Sequence, residues 1–338
     1  MKLYHLSHID LDGYSCQYIT KQYFKDAKYY NSNYGDEIDE KLRQIFRDIE
    51  KNMYEDNLVL ITDVNLTGAQ ANRVEDLKSN SSKRVEILLL DHHQSGEAQA
   101  NLFDWYHLDI TKCATKITYE YFGKILGEKP ELKHFVDIVN SIDIWLDYED
   151  TFELGKVLLK LLADSNEINR IMFPADNNKY MFKLLDAVQS YFEKADAHIV
   201  LDESIHKIKK QIFNSAKNDT LDNLIASYIV DLLSLQANKL EVVYKGQKGV
   251  FTYSLRGVSV IGNMFLKHNP QYDFFMNLSG GKNISFRAND KLDVSKLASD
   301  VFGGGGHKNA SGARYKEFKD SFIYQKMRTQ INEVFSKF

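Results

Sequence analysis

Three largely apolar segments of strand length, separated by segments of helical periodicity, constrain the fold of this chain most. They cover residues 2–6, 58–62 and 85–90, and residues 36–51 carry apolar side chains at helical spacing between the first two. Strands that read as apolar runs and alternate with helices are typical of parallel sheets covered by helices on both faces. The sequence therefore predicts an α/β fold with an N-terminal parallel-sheet domain.

The last third of the chain has a different pattern. A β-hairpin is predicted around residues 240–255, and shorter strands and helices follow it. The length of 338 residues also exceeds the usual size of one domain. A long helix is expected from residue 183 towards 215. We predict a first domain at 1–195, a helical linker at 196–222 and a smaller α/β domain at 223–338.

Composition excludes several classes of protein. The net charge of −4 argues against a protein that grips long duplex nucleic acid through its phosphates. Cys16 and Cys113 are too few for a disulfide framework, and we interpret both as small buried side chains. The apolar runs are too short to span a membrane, and the N-terminus lacks a signal-peptide pattern. We expect a cytoplasmic protein that does not contact a membrane.

Acidic residues and histidines follow each of the three predicted strands. They are His8, Asp10 and Asp12 after the first strand, Asp63 after the second, and Asp91, His92 and His93 after the third. Ligands of open parallel sheets bind beyond the carboxyl ends of the strands. These side chains are therefore expected to converge on one edge of one sheet.

Several carboxylates and imidazoles in one crevice would repel one another unless cations neutralise them. Aspartate and histidine without thiolate suit Mn²⁺, Mg²⁺, Co²⁺ or Zn²⁺. A carboxylate that bridges two such ions gives a site that can activate water and stabilise in-line displacement at phosphorus. In the alternative interpretation, Asp12 and Asp63 each cap the helix that follows, and each histidine is an ordinary core residue. The grouping of all these residues favours the metal site.

In this order the motifs resemble those of the DHH phosphoesterase superfamily, and Asp143 resembles its fourth motif, a single aspartate on a later helix. The resemblance implies a phosphoesterase with two divalent ions, Mn²⁺ first, with Mg²⁺ or Co²⁺ as other options. It implies as metal ligands His8, Asp10, Asp12, Asp63, His92 and Asp143. Asp63 would bridge the ions, Asp91 would ligate or orient, and His93 would face the phosphate, so that His93 and Asp91 are the catalytic pair. Tyr14 stands where many members carry a further aspartate, and Asp10 stands where RecJ-type members carry an additional one. The division of ligands between the two ions therefore stays open.

Four consecutive glycines, at 303–306, precede a histidine in the predicted second domain. Consecutive glycines allow backbone N–H groups to approach an anion closely. The run resembles the GGGH loop of the DHH-associated C-terminal domain, which implies that this domain binds the nucleotide end of the substrate. The implied substrate-binding residues are Arg287, Gly304, Gly305, Gly306, His307 and Lys308.

The two-domain layout resembles the NrnA- and NrnB-type oligoribonucleases, also called nanoRNases. This resemblance implies a Mn²⁺-dependent phosphodiesterase, or exoribonuclease, that trims short RNA or DNA oligonucleotides and linear dinucleotides to 5′-mononucleotides. Alternatives are a RecJ-type single-strand DNA exonuclease, a 3′-phosphoadenosine 5′-phosphate phosphatase and a cyclic-dinucleotide phosphodiesterase. A decayed enzyme that only binds nucleotides is the non-catalytic alternative. The sequence leaves a homodimer open.

Overall fold

The structure, a computed structural model, describes residues 1–215 and 218–338. Its contacts divide the chain into two compact units. Unit 1 contains residues 1–166 and 174–208, and unit 2 contains residues 167–173 and 209–338.

Unit 1 is built on a five-stranded sheet in the order β2-β1-β3-β4-β5, in which every neighbouring pair is parallel. Its strands are β1 (Lys2–Ser7), β2 (Ala27–Asn31), β3 (Asp56–Thr62), β4 (Arg84–Asp91) and β5 (Tyr106–Leu108). The helices that begin in this unit are α1 (Leu11–Lys21), α2 (Asp36–Lys51), α3 (Gly68–Ser79), α4 (Glu97–Ala100), α5 (Ala114–Leu126), α6 (Lys133–Asp143), α7 (Phe152–Asp164), α8 (Pro174–Val188) and α9 (Ala197–Ile212).

Helices cover both faces of this sheet because successive strand residues point to opposite sides. Along β3, Val59 and Ile61 pack in a buried cluster with apolar residues of α2 and α3. Leu58 and Leu60 pack on the other face with residues of α5, including Phe122. The predicted α/β fold with a parallel sheet covered on both faces is confirmed.

The strand register aligns the carboxyl ends of four strands. Ser7 pairs with both Asn31 and Thr62, and Thr62 pairs with Leu90. The residues that follow these four positions therefore leave the sheet at the same edge.

A neutral hydrogen-bonded network is centred on His5, two residues before the end of β1. His5 is fully buried, and its ring nitrogens lie 2.9 Å from Thr20 Oγ1 and 2.8 Å from Thr62 Oγ1. Burial lowers the pKa of His5 to about 3. His5 is therefore an uncharged support of the sheet and does not belong to the acidic cluster above it.

Unit 2 has a mixed six-stranded sheet in the order β10-β11-β9-β8-β7-β6, in which β7 and β8 are parallel and the other pairs are antiparallel. Its strands are β6 (Glu241–Tyr244), β7 (Gln247–Tyr253), β8 (Phe274–Leu278), β9 (Asn283–Ala288), β10 (Gly305–His307) and β11 (Ala310–Arg314). Its helices are α10 (Leu221–Leu235), α11 (Ala237–Leu240), α12 (Val258–His268), α13 (Val294–Phe302) and α14 (Tyr324–Phe335).

The units differ from the predicted domains in two ways: residues 167–173 pack in unit 2, and the predicted linker is divided between the units after residue 208. Asn169 Nδ2 donates to the carbonyl of Tyr253 at 2.9 Å, and the Tyr253 N–H lies 3.3 Å from Met172 Sδ. These contacts join positions more than 80 residues apart, which spacing along the sequence does not reveal.

The predicted long helix from 183 to 215 is wrong. Helix α8 ends at Val188, and α9 begins at Ala197 after Asp196, whose φ of 51° interrupts helical backbone. The predicted linker at 196–222 contains α9 and the first residues of α10, and its residues 216–217 lie outside the described part. Within the described ranges, no helix is both long and apolar enough to cross a membrane.

Candidate metal centre

His8 and Asp10 form the first part of the site, directly after β1. Asp10 caps α1, since one of its oxygens accepts the Gly13 N–H at 3.0 Å, and its other oxygen lies 2.6 Å from His8 Nδ1. Burial acts to raise the pKa of Asp10, but the hydrogen bond and charge of His8 and the Gly13 N–H outweigh it and lower this pKa to about 2. Burial acts to lower the pKa of His8, but the partner Asp10 raises it.

Asp12 is fully buried and caps a helix other than the one that it belongs to. Its two oxygens accept the backbone N–H groups of Ala114 and Thr115, both at 2.8 Å, at the start of α5. Each carboxylate oxygen has a second lone pair, so this cap leaves acceptor capacity towards the site. One of these oxygens lies 3.8 Å from His92 Nε2.

Asp63 lies at the middle of the site. Its backbone has φ 55°, a conformation that aspartate and asparagine tolerate better than most residues. Its side chain is buried, and within the described part of the chain Oδ2 has no hydrogen-bond partner. Burial and the charges of Asp12 and Asp10 raise its pKa well above the usual range. A buried carboxylate oxygen without a partner is costly, and a bound cation would remove that cost.

Asp63 does not cap the following helix. Thr67 caps α3 with a reciprocal capping box formed with Gln70. The capping alternative is therefore wrong for Asp63. Asp12 does cap a helix, but this helix is α5 and not the helix that directly follows β1, as the alternative had it.

His92 faces three carboxylates. Its Nε2 lies 3.4 Å from an oxygen of Asp63 and 3.5 Å from an oxygen of Asp143, besides the 3.8 Å approach of Asp12. Asp143 is the last residue of α6, and burial, followed by the charges of Asp12 and Asp10, raises its pKa to about 9. Burial lowers the pKa of His92 and favours the neutral imidazole that ligates metals.

The structure brings all six predicted ligands together around Asp63. Ligand atoms of His8, Asp10 and Asp63 lie within 4.8 Å of one another, and so do those of Asp63, His92 and His93. A third such group joins Asp12 and Asp143 to Cys113. Asp63 belongs to two of these groups, so its position suits the predicted bridge. Carboxylate and imidazole donors in this arrangement fit divalent cations of the Mn²⁺ and Mg²⁺ type.

Asp91 is directed at His93. Its Oδ1 lies 2.7 Å from His93 Nδ1, and its Oδ2 accepts the hydroxyl proton of Tyr106 at 2.7 Å. The hydrogen bond to Asp91 raises the pKa of His93, although burial acts in the opposite direction. Of the two predicted roles for Asp91, this geometry suits the orienting one, because both its oxygens hold other groups.

Tyr14, the departure from the first motif, lies outside the cluster. It is buried, and its hydroxyl accepts a hydrogen bond from Asn177 Nδ2 of α8 at 2.8 Å. Asp10 lies next to His8 in the cluster itself.

Three residues of the site were not predicted. Asn33 Oδ1 lies 3.4 Å from His8 Nε2, and the Tyr34 hydroxyl lies 3.1 Å from His93 Nε2. Cys113 is buried beside Asp12 and Asp143; burial, reinforced by those charges, raises the pKa of its thiol well above the usual range. Asn33 and Tyr34 follow β2, and Cys113 follows β5. The rule about carboxyl ends applied to these strands would have found them.

The predicted residues of unit 2 lie on β9, β10 and the adjoining turn. Arg287 pairs with Ala310, which pairs with His307, so both side chains leave the same face of the sheet in one row. The Arg287 guanidinium donates to the Phe286 carbonyl at 2.7 Å and to the Ser259 hydroxyl of α12. Lys308 Nζ lies 3.5 Å from a carboxylate oxygen of Asp290.

The glycines of the loop have different structural reasons. Gly303 ends α13 in the left-handed conformation, with φ 64°. A Cβ at Gly304 would lie 2.2 Å from the Gly312 carbonyl oxygen, and Gly306 has φ 144°. A Cβ at Gly305 would meet no atom within 4 Å. The fold of unit 2 therefore explains three of the four glycines and leaves Gly305 unexplained.

Known proteins resemble this chain over its whole length. A 3′,5′-cyclic-nucleotide phosphodiesterase of Helicobacter pylori is 41% identical over an alignment of 345 positions, which spans 99% of each chain. The oligoribonuclease NrnB of Bacillus subtilis is 26% identical over an alignment of 327 positions, which spans 92% of this chain and 72% of NrnB. The crystal structure of an uncharacterized protein from Helicobacter pylori G27 is 39% identical, covers 100% of both chains and has a TM-score of 0.94. No family model matches the chain.

Fold, site and relatives together define the class of this protein: it is an enzyme that hydrolyses phosphoester bonds. The chain belongs to the DHH phosphoesterase superfamily, on its NrnA- and NrnB-like side, and it is a phosphodiesterase. The resemblance inferred from the sequence motifs is confirmed.

Proposed function

We propose that this chain uses two divalent ions, with Mn²⁺ as the preferred ion, to hydrolyse short oligonucleotides and linear dinucleotides to 5′-mononucleotides. The observation that carries this proposal is the buried carboxylate of Asp63. Its Oδ2 has no hydrogen-bond partner among the described residues and lies 3.8 Å from His8 Nδ1, and its Oδ1 lies 3.4 Å from His92 Nε2. That arrangement calls for cations. The name of the NrnB relative supports an oligonucleotide as the substrate.

The ligands would be His8, Asp10, Asp12, Asp63, His92 and Asp143. When bound, two divalent ions would supply an activated water and would neutralise charge that develops at phosphorus. Asp91 holds the Nδ1–H of His93, so that Nε2, which the Tyr34 hydroxyl contacts at 3.1 Å, is the nitrogen left for other partners. In this proposal Nε2 of the protonated ring donates to a phosphate oxygen, and Asp91, which raises the pKa of His93, favours that protonated form.

Unit 2 contributes substrate binding in this proposal. Arg287 and His307 lie in one row on one face of its sheet, and a guanidinium suits phosphate oxygens. Gly305 lacks a side chain although the fold leaves room for one, which favours close approach of a ligand to its backbone. The mild net charge of −4 is compatible with a short substrate, because such a substrate needs few phosphate contacts.

A 3′,5′-cyclic nucleotide is the second candidate substrate, favoured by the 41%-identical relative that carries this activity in its name. In a linear dinucleotide and in a 3′,5′-cyclic nucleotide, water adds at phosphorus and the bond from phosphorus to the 3′ oxygen breaks. Both reactions consume one water molecule and yield a 5′-mononucleotide. One site can therefore serve both substrates.

The test is a panel of substrates with Mn²⁺, read by mass spectrometry of the products. The panel contains a linear dinucleotide, a five-nucleotide RNA, 3′,5′-cyclic AMP, a cyclic dinucleotide, 3′-phosphoadenosine 5′-phosphate and a long DNA single strand. We expect 5′-mononucleotides fastest from the dinucleotide. Faster turnover of cyclic AMP would select the second candidate. Absence of hydrolysis of every substrate with Mn²⁺, Mg²⁺ and Co²⁺ would contradict the proposal.

A further inference from the structure

Hydrogen bonds of its backbone and of the Asn31 side chain hold the loop between β2 and α2 in place. The Ser32 N–H donates to the Ser7 carbonyl at 3.0 Å, and Asn31 Nδ2 donates to the His8 carbonyl at 2.8 Å. The fully buried carboxylate of Glu37 accepts the Asn33 N–H at 2.9 Å. These bonds fix the loop at the site without any contribution from the side chain of Tyr34.

The Tyr34 side chain nevertheless lies over the two histidines of the site. Its ring centroid is 5.1 Å from that of His8 and 6.0 Å from that of His93, and its hydroxyl lies 3.1 Å from His93 Nε2. With Nδ1–H donating to Asp91, Nε2 accepts from the Tyr34 hydroxyl in the neutral ring and donates to it in the protonated ring. The hydroxyl can do both, so the contact holds in either state of the histidine.

The fold of unit 1 does not explain this tyrosine. Its side chain is 41% exposed, whereas the neighbouring Tyr4 and Tyr30 are buried in the core. A ring placed only for packing would be covered, as those two are. Tyr34 instead presents a hydroxyl to the nitrogen that the proposed function assigns to the phosphate.

We propose that Tyr34 is a substrate-binding residue whose hydroxyl transfers its hydrogen bond from His93 Nε2 to a phosphate oxygen when the nucleotide binds. The inference rests on the proposed function and adds a residue to it. The exchange gives the substrate a hydroxyl donor at the cluster. No covalent step is involved, since only hydrogen bonds are exchanged.

The test compares Tyr34→Phe with Tyr54→Phe. Tyr54 is a matched control, since it is 37% exposed, belongs to the same unit and donates its hydroxyl to the carboxylate of Asp26 at 2.7 Å. Both variants lose one hydroxyl and keep the ring. Metal content and thermal unfolding of the two Mn²⁺-loaded variants should equal those of the wild type.

Two readings decide the outcome. The first is the Kd of 5′-AMP for the Mn²⁺-loaded protein, measured by calorimetry, and the second is kcat and KM on a linear dinucleotide. We expect Tyr34→Phe to raise both Kd and KM at least about tenfold, because hydrogen bonds to charged groups contribute roughly 10- to 150-fold. We expect kcat to change little, since the donor binds substrate and transition state alike. Tyr54→Phe should leave all three constants unchanged.

An unchanged Kd for 5′-AMP in Tyr34→Phe would overturn the inference. A fall in kcat at constant Kd and KM would also overturn it, because Tyr34 would then only position His93. If the wild type hydrolyses none of the proposed substrates, the proposed function fails. The Kd of 5′-AMP would still decide the role of Tyr34.

Discussion

The acidic cluster of unit 1 and the glycine loop of unit 2 are built in opposite ways. In the cluster, chemistry resides in side chains around a buried centre of Asp12, Asp63 and Asp91, and hydrogen bonds from the surrounding fold set their positions. In the loop, Gly305 and His307 are exposed, and Gly305 has no side chain although the fold leaves room for one. The first region is costly to assemble and the second is not.

This difference predicts how substitutions behave in the two regions. A buried polar group without its partner costs several times more than an exposed one. Substitutions in the cluster should therefore change activity and stability together. Substitutions in the loop should separate these two properties.

Asp63→Asn should have the largest effect. Asparagine keeps the shape and tolerates φ 55° but removes the charge of the proposed bridge. We expect activity to fall by more than about a hundredfold, since even outer partners of a metal site are worth roughly 10- to 100-fold. The measurement is turnover of a dinucleotide at saturating Mn²⁺.

The difference in stability between this variant and the wild type should change sign when the metal is removed. In chelator at pH 8 the variant should unfold at a higher temperature than the wild type, because an amide avoids the cost of a buried charge. With Mn²⁺ the wild type should be the more stable protein. Asp26→Asn, an exposed site, should change neither result. If the wild type has the same melting temperature in chelator and in Mn²⁺, a cation site at Asp63 is refuted.

Removal of the metal should also make stability depend on pH in an unusual direction. The pKa of Asp143 is raised to about 9, against about 4 in an unfolded chain. Between these values the folded protein binds more protons than the unfolded one, so stability falls as pH rises. His8 and His93, whose pKa values are raised, add slopes of the same sign.

Denaturant unfolding between pH 6.5 and 8.5 measures this slope. His5 and His92, whose pKa values are lowered, oppose this slope only near pH 6.5, where the histidines of the unfolded chain still titrate. We expect up to about 1.4 kcal/mol lost per pH unit for each group in chelator. Added Mn²⁺ should cancel or invert the slope, because metal binding releases those protons. Asp143→Asn should make the slope shallower, because the contributions of His8 and His93 remain. A flat profile for the metal-free wild type would contradict the arrangement.

Asp91→Asn should have the next largest effect on activity. An amide at this position cannot accept both the His93 Nδ1–H and the Tyr106 hydroxyl proton through two oxygens. The histidine would lose the partner that fixes its tautomer, and we expect activity to fall roughly 10- to 100-fold with metal content unchanged. Tyr106→Phe is the matched control, because it removes the other bond to the same carboxylate. Similar losses in both variants would mean that Asp91 does not act through His93.

The sequence predicted the parts of the site that follow from local order. Apolar runs indicated the strands, and the strand ends placed Asp63 and His92 at one edge of the sheet. Both inferences need only residues that are adjacent in the sequence. Asp12 shows what such reasoning misses. The helix that it caps begins 102 residues further along the chain, and only the folded sheet brings them together. The same holds for residues 167–173, which pack in unit 2.

Tyr34 was missed for a different reason. The rule about strand ends was applied to the strands with recognisable acidic or histidine motifs, whereas β2 is short and ends in Asn31. The strand-end rule applied to β2 points to the loop, but a tyrosine in a polar loop has no chemical signature in a sequence. The 3.1 Å contact with His93 is what distinguishes Tyr34 from its neighbours.

The smallest effects are expected in the glycine loop, where two neighbouring substitutions separate fold from binding. A Cβ at Gly304 would lie 2.2 Å from the Gly312 carbonyl oxygen, so Gly304→Ala should lower the free energy of unfolding by about 1–3 kcal/mol. Gly305→Ala meets open space, and its free energy of unfolding should stay within about 0.5 kcal/mol of the wild type. If backbone at Gly305 approaches the substrate, its KM should rise roughly fivefold, the equivalent of one lost hydrogen bond of about 1 kcal/mol. Urea unfolding and dinucleotide kinetics measure the two properties on the same samples. A Gly305→Ala protein with unchanged KM would restrict the loop to a structural role and leave substrate binding in unit 2 to Arg287 and His307.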